Sequence, residues 1–489
     1  MQTCYLAVDI GASSGRHIIG TVEHGVMALH EVYRFENRLI EKNGHLCWDM
    51  EGLVQNVIEG LKAAHDAGYT PTTVGIDTWA VDFLLLDADG TPIGDPVAYR
   101  DGRTAAMREE LEPILPFTKL YARTGIQYQS FNTVYQLCAL KKEHPEQLAA
   151  AEHFLMVPDY LNYRLTGVMA NEYTNASTTA LVGAISKDWD DEIINRLGLP
   201  RKIFGRISTP GTKLGNLSSA VKDYVGFDCT VVLPATHDTG SAFLAVPARD
   251  DKAVYLSSGT WSLLGTELDS PILTADCCQS GLSNELGANG KINYLKNIIG
   301  LWLIQESRRE YKRRGQAYSF AELEQQALAA EPLRSFIDPD APEFVAPGDL
   351  PGRIQEFCRK TGQPVPETVG AVMRCIYESL ALKYRYAIEQ LSAVTGRAFT
   401  TLHVLGGGTK DRLLCQMAAD CCGLTVKAGP VEATALGNIM IQLKALGVLD
   451  SITQGRRLIA ETEVIKTYTP STQNYAEWNA AYDRFKTLL

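Results

Sequence analysis

The chain has 489 residues, 45% of them hydrophobic and 21% charged, which is ordinary for a globular protein and too long for one core, so two large domains are expected. Its 46 basic and 57 acidic residues leave a formal charge of −11 with no long run of either sign, which argues against the concentrated basic surface that a nucleic-acid partner requires. No basic-then-apolar leader is evident, and the longest apolar stretches fall short of the roughly 20 residues of a membrane span, so the expectation is a cytoplasmic protein without a membrane partner.

In chain order, apolar residues from Tyr5 to Val8 predict a strand, Gly11 to Gly15 a turn, and HIIGTV a second strand. MEGLVQNVIEGLKAAHDAG has apolar residues at helical spacing and stops at Gly68. TTVGIDTWAVDFLLLDADGTPIGDP returns to strands, with DADG as a hairpin turn. From about Ala105 to Leu199 the pattern is mainly helical. LPATHDTGSAFLAV, Leu233 to Val246, then runs an apolar strand into a His-Asp pair and a helix opened by small residues. AVYLSSGTWSLLGTEL, Ala253 to Leu268, repeats the opening strand–turn–strand in outline. Glu367 to Val394 predicts a long helix, and TTLHVLGGGTKDRLLCQMAADCCG reads as strand, triple glycine, helix. A duplicated β-then-α domain with a boundary near residues 240–250 is the simplest account, and a cleft between two such domains is where a ligand is expected.

Four turns could carry chemistry. Asp9 ends the first strand, and Ala12, Ser13, Ser14, Gly15 and Arg16 follow in a Gly- and Ser-rich turn whose backbone N–H groups can approach a phosphate chain. Asp9 could hold a Mg²⁺ bridging those phosphates, directly or through water, although D-x-G turns also occur in plain hairpins. Asp238 stands at a strand end before a helix, where an acid also serves as a cap. Ser257-Ser258-Gly259-Thr260 is a hydroxyl-rich turn between strands, and Gly406-Gly407-Gly408 either lets a nucleotide lie against the backbone or simply makes a bend. No G-x-x-x-x-G-K-[ST] phosphate cradle is present. The 11 cysteines form no paired CxxC frame and read as buried reduced thiols, with a Cys358–Cys375 bond left open.

Two Asp-x-Gly turns, a hydroxyl-rich turn after the second, and a late strand–GGG–helix at domain-scale spacing together resemble the actin-like ATPase superfamily. The blocks GIDTWAVDFLLLD, GIQYQSFNTVYQL, MVPDYLNYRLTG, EYTNASTT, ATHDTGSA, YLSSGTWSLLG, LKNIIGLWLIQ, VLGGG and AGPVEATALGNI look like the FGGY carbohydrate kinases, most of all the branch that phosphorylates L-rhamnulose. The resemblance implies an α/β fold of two actin-like (ribonuclease H-like) domains, 1–245 and 246–489, with ATP and sugar in the interdomain cleft. It also implies Mg²⁺-assisted transfer of a phosphoryl group from ATP to the 1-hydroxyl of a ketose such as L-rhamnulose. Asp238 would be the general base, a role worth roughly 10²–10⁴ in rate. By the same likeness Ala80, His237, Asp238, Thr239 and Asn297 meet the sugar, Ala12 to Arg16 and Thr260 the phosphates, and Gln305 and Gly407 the nucleotide. The family pattern has Gly where Ala80 stands, so a narrowed pocket and a sister activity on L-fuculose or another ketose stay open. A non-catalytic actin-like ATP-binding switch is the remaining reading, but it has no use for a base at position 238. Trp79, Trp261 and Trp302 read as pocket wall or core.

Overall fold

A computed structural model of the chain describes residues 3–248 and 250–489. The chain divides into two units, each assembled from three segments. The first unit takes the described residues up to Pro247, then Glu267–Tyr294 and Ala433–Thr462; the second takes Ala248–Thr266, Leu295–Glu432 and Glu463–Leu489.

In the first unit, β1 (Cys4–Ile10), β2 (Ser14–Glu23) and β3 (Val26–Glu36) form an antiparallel meander. The helix α1 (Met50–Asp66) leads into β4 (Thr73–Thr78), which lies parallel to β1; β5 (Lys213–Asn216) and β6 (Thr230–Val232) complete the order β3-β2-β1-β4-β6-β5. Every residue of β1 and β4 is buried, as expected of central strands covered on both faces. In α1, Asp49 caps the start by accepting from the Gly52 N–H, and Leu53, Val54, Val57, Leu61 and Ala64 face the core. The DADG hairpin forms between Phe83–Leu86 and Pro92–Ile93. Within the stretch read as helical, His153–Met156 is instead a strand paired to Phe83–Leu86. HFLM is too short for a helix, and its last three residues are buried.

The second unit repeats the pattern. Here β7 (Ala253–Ser258), β8 (Trp261–Leu268), β9 (Ile292–Ile299), β10 (Thr401–Leu405), β11 (Thr425–Ala428) and β12 (Lys466–Tyr468) run in the order β9-β8-β7-β10-β11-β12. An antiparallel partner, β8, lies beside β7 on one side and two successive parallel strands, β10 and β11, on the other, as β2 and then β4 and β6 flank β1 in the first unit. Both are therefore α/β domains with one topology. The predicted long helix is present as Val369–Thr395, closed by Gly396 at φ 68°. Among the described residues no helix is long and apolar enough to cross a membrane, and all 11 cysteines are free thiols.

A late helix, Ala433–Ala445, returns to the first unit, with Asn438 and Gln442 fully buried on one face of it. Gln442 donates to the Leu6 carbonyl of β1 and accepts from the Thr73 hydroxyl of β4 at 2.6 Å; Asn438 donates to the Gly75 carbonyl and to Asp77 Oδ2. These partners satisfy amides that would otherwise be costly inside an apolar helix. Immediately before Asn438, Gly437 abuts the short helix α2 (Asp238–Leu244) so closely that a Cβ there would sit 1.8 Å from the Ser241 carbonyl oxygen. Gly437→Ala is expected to cost about 1–3 kcal/mol from overpacking, outweighing the ~1 kcal/mol gain in helix propensity. Thermal denaturation checks this: the midpoint should fall by several degrees, and an unchanged midpoint would show that the two helices can part without cost.

Candidate active site

The first unit gathers three carboxylates at the ends of its central elements. Asp9 on β1 and Asp77 on β4 are register partners, and Asp238 opens α2 just beyond β6. Asp9 pairs with Arg16, whose Nη2 lies 2.7 Å from Asp9 Oδ2. Asp77 is fully buried; its Oδ2 accepts from Asn438 at 2.6 Å, while Oδ1 has no hydrogen-bond partner. Burial and the Asp9 charge hold the Asp77 carboxyl well above the usual carboxylate range, against the Asn438 bond. Desolvation also raises Asp238, and Asp9 adds to the rise; the His237 charge and the Thr239 N–H and hydroxyl pull it back down. Asp238 is not the helix cap, a position His237 fills; its Oδ1 instead accepts from the Thr239 N–H at 2.5 Å. Its side chain remains 33% exposed, so a substrate hydroxyl can reach it.

The turn carrying Asp238 is held from three directions. The buried Glu172 accepts from both the N–H (3.1 Å) and the hydroxyl (2.7 Å) of Thr236, and also from Thr174 and Asn175. The Thr78 N–H at the end of β4 donates to the Thr236 carbonyl, and the Thr174 hydroxyl accepts from the His237 N–H. The His237 ring lies between two acids: Nδ1 is 3.1 Å from Glu285 Oε2, and Nε2 is 3.5 Å from Asp238 Oδ1. Burial alone would lower its pKa, but Glu285, Asp238 and Glu172 outweigh that and raise it above the ordinary histidine value.

Beside these residues, Gly11, Ala12 and Ser13 turn β1 into β2, closed by the Gly11 N–H bonding the Ser14 carbonyl. Gly15 packs against Phe35, where a Cβ would fall 2.1 Å from the ring and force it to move. Ala80 follows β4 in a tight segment where Val81 takes φ 67°. Asp82 anchors that segment by accepting from the indoles of Trp48 and Trp79, the Tyr99 N–H and the Gln136 amide. Trp79 is thus core, as is Trp302, whose indole donates to the Phe344 carbonyl.

In the second unit the β7–β8 turn organises the other predicted residues. The Thr260 carbonyl accepts from Gly300 and Trp302, and its hydroxyl lies 3.5 Å from Gln305 Oε1 on the helix α3 (Trp302–Arg313). Gly406, at φ 76°, and Gly408 press on Ser258, where a Cβ on Gly408 would meet its hydroxyl at 2.0 Å; Gly407 faces open space. Asn297 is half-buried on β9. The fold thus brings together Asp9, Arg16, His237, Asp238 and Thr239 in one unit, and Thr260, Gln305 and the triple glycine in the other. Glu172, Glu285, Asp77 and Asn438 are additions that the sequence motifs did not single out. The acid of NE just before the short run YTNAS, and two amides four apart in the apolar run NIMIQ, were the signals available.

Family models for the FGGY carbohydrate kinases match nearly the whole chain, the N-terminal domain over residues 4–245 and the C-terminal domain over 254–446. The chain belongs to the FGGY family of carbohydrate kinases. Among FGGY relatives, a rhamnulokinase from Halalkalibacterium halodurans is 48% identical over 95% of this chain and 98% of its own length. A rhamnulokinase from Bacteroides thetaiotaomicron is 45% identical over 100% of both chains. In fold, a ligand-bound xylulose kinase from Lactobacillus acidophilus matches with a TM-score of 0.83 at 15% identity, covering 99% of this chain and 97% of that one. Glycerol kinase of Plasmodium falciparum with ADP matches at 0.78 and 15%, over 99% and 98%. This FGGY protein is an ATP-using carbohydrate kinase, and the non-catalytic switch is set aside.

Proposed function

We propose that this FGGY kinase transfers the γ-phosphoryl group of ATP to the 1-hydroxyl of L-rhamnulose, with Asp238 as general base. The observation that carries the reading is a reachable carboxylate on a turn immobilised by Glu172 and by the end of β4. A primary alcohol is a weak nucleophile, so a positioned base that takes its proton as the O–P bond forms is what this chemistry needs. As that bond forms, the γ-phosphorus separates from the β–γ bridging oxygen and ADP departs. The rest of the catalysis is positioning and charge neutralisation. In the proposed arrangement ATP and sugar share the cleft between domains 1–245 and 246–489. Ala12, Ser13, Ser14, Gly15, Arg16 and Thr260 take the phosphates and Gln305 and Gly407 the nucleotide, while Ala80, His237, Thr239 and Asn297 meet the sugar.

Mg²⁺ fits the residues present. Among the described residues no group of three or more His, Cys, Asp or Glu side chains could hold a metal alone, and Mg²⁺ ordinarily takes one or two carboxylates plus substrate phosphates and water. Asp9 would hold it, supplying an oxygen-only donor beside the phosphate turn; the ion would neutralise charge on the phosphates.

The substrate is the finer part of the proposal. It is supported by the names of the relatives that are 40–48% identical and is tested by coupled ADP release across a panel of ketoses. L-Rhamnulose should give the highest kcat/KM. A preference for L-fuculose would overturn the substrate and point to the Ala80 methyl as its determinant.

A further inference from the structure

We propose that Glu285 is a positioning residue for phosphoryl transfer: it fixes the His237 ring and its charge beside Asp238, so that the base is ionised when the sugar arrives. The inference rests on the reading of Asp238 as base. Glu285 lies on the buried strand Ser283–Leu286 and is 5% exposed. Its Oε2 lies at ion-pair distance, 3.1 Å, from His237 Nδ1, and no hydrogen bond reaches that oxygen. An uncompensated buried carboxylate is expensive, and the imidazole is the group placed to compensate it. A neutral imidazole has one N–H to offer, whereas the ring here has an acid at each nitrogen, Glu285 and Asp238; only the imidazolium donates toward both.

The charges around the pair set the sign of the effect. His237 faces Glu285, Asp238 and Glu172. Asp238 faces His237 and Asp9, and Asp77 feels Asp9, Asp238 and Arg16. Of the influences that keep His237 protonated, Glu285 is the largest. Without its charge the ring neutralises at lower pH, Asp238 loses the cation that opposes its desolvation, and a higher pH is needed to ionise the base.

Glu285→Gln, nearly isosteric, tests this with two readouts on the whole enzyme. The first is ¹⁵N NMR of labelled histidines, with the His237 signal identified by its loss in His237→Gln. The second is the pH dependence of kcat/KM for L-rhamnulose. The His237 midpoint should fall by about one pH unit or more and the acidic limb of the rate profile should move to higher pH, while Glu285→Asp retains part of both. An unshifted His237 midpoint in folded Glu285→Gln would overturn the proposal, as would a shifted midpoint with an unmoved acidic limb. Failure of the base assignment itself would appear separately, as full turnover in Asp238→Asn.

Discussion

Asp238→Asn is expected to lower kcat by roughly 10²–10⁴-fold while leaving ATP binding close to wild type. The carboxamide keeps the size of the side chain and can still accept from the Thr239 N–H, which the carboxylate does at 2.5 Å, so the start of α2 should hold its shape. What it loses is the capacity to take a proton from the sugar hydroxyl. Single-turnover kinetics with titration calorimetry of ATP separate chemistry from binding; a variant that phosphorylates sugar at the wild-type rate would overturn the base assignment. The low-pH limb of the wild-type profile should lie above that of an ordinary aspartate, because desolvation and Asp9 together raise the Asp238 pKa.

The second large effect is expected at Glu172, which touches no proposed substrate. Its carboxylate accepts from the N–H and hydroxyl of Thr174, the N–H of Asn175, and the N–H and hydroxyl of Thr236. Glu172→Gln replaces one acceptor oxygen with an NH₂ that points donors at donors. Leaving buried donors unmet costs about 1–3 kcal/mol each, so a loss of roughly 2–4 kcal/mol is expected. Since Thr236 precedes the His237–Asp238 pair, kcat should fall along with the melting temperature. Thermal denaturation and kcat measured on the same preparation check both, and a variant as stable and active as wild type would show that the turn holds without this acid.

Much of this was legible in the sequence where the signals are local. Tyr5 to Val8, Gly11 to Gly15 and HIIGTV specify strand, turn and strand through neighbouring residues, and the same holds for AVYLSSGTWSLLG and VLGGG. Asp238 was visible as an acid at the end of an apolar run, and its surroundings were not. Glu172 reaches it from 64 positions upstream of Thr236, and Glu285 reaches His237 from a separate segment of the first unit. Such pairings depend on topology, which periodicity does not encode. The strand His153–Met156, inside a stretch that is mainly helical as its pattern indicates, escaped notice for a related reason: HFLM pairs with the Phe83–Leu86 edge, which lies far away in sequence.

The late helix Ala433–Ala445 has a consequence for how the enzyme is made. Its amides bond to Leu6, Thr73, Gly75 and Asp77, so the strands bearing two of the three carboxylates complete their polar contacts only when that helix arrives. On the ribosome, where N-terminal segments emerge first, the whole stretch from Leu295 to Glu432 must be synthesised before this happens. A chain cut short anywhere in that stretch retains Asp9, Asp77 and Asp238 but lacks the helix that seats Asp77. The polar contacts of the strands carrying Asp9 and Asp77 therefore wait on a segment that is among the last to be made.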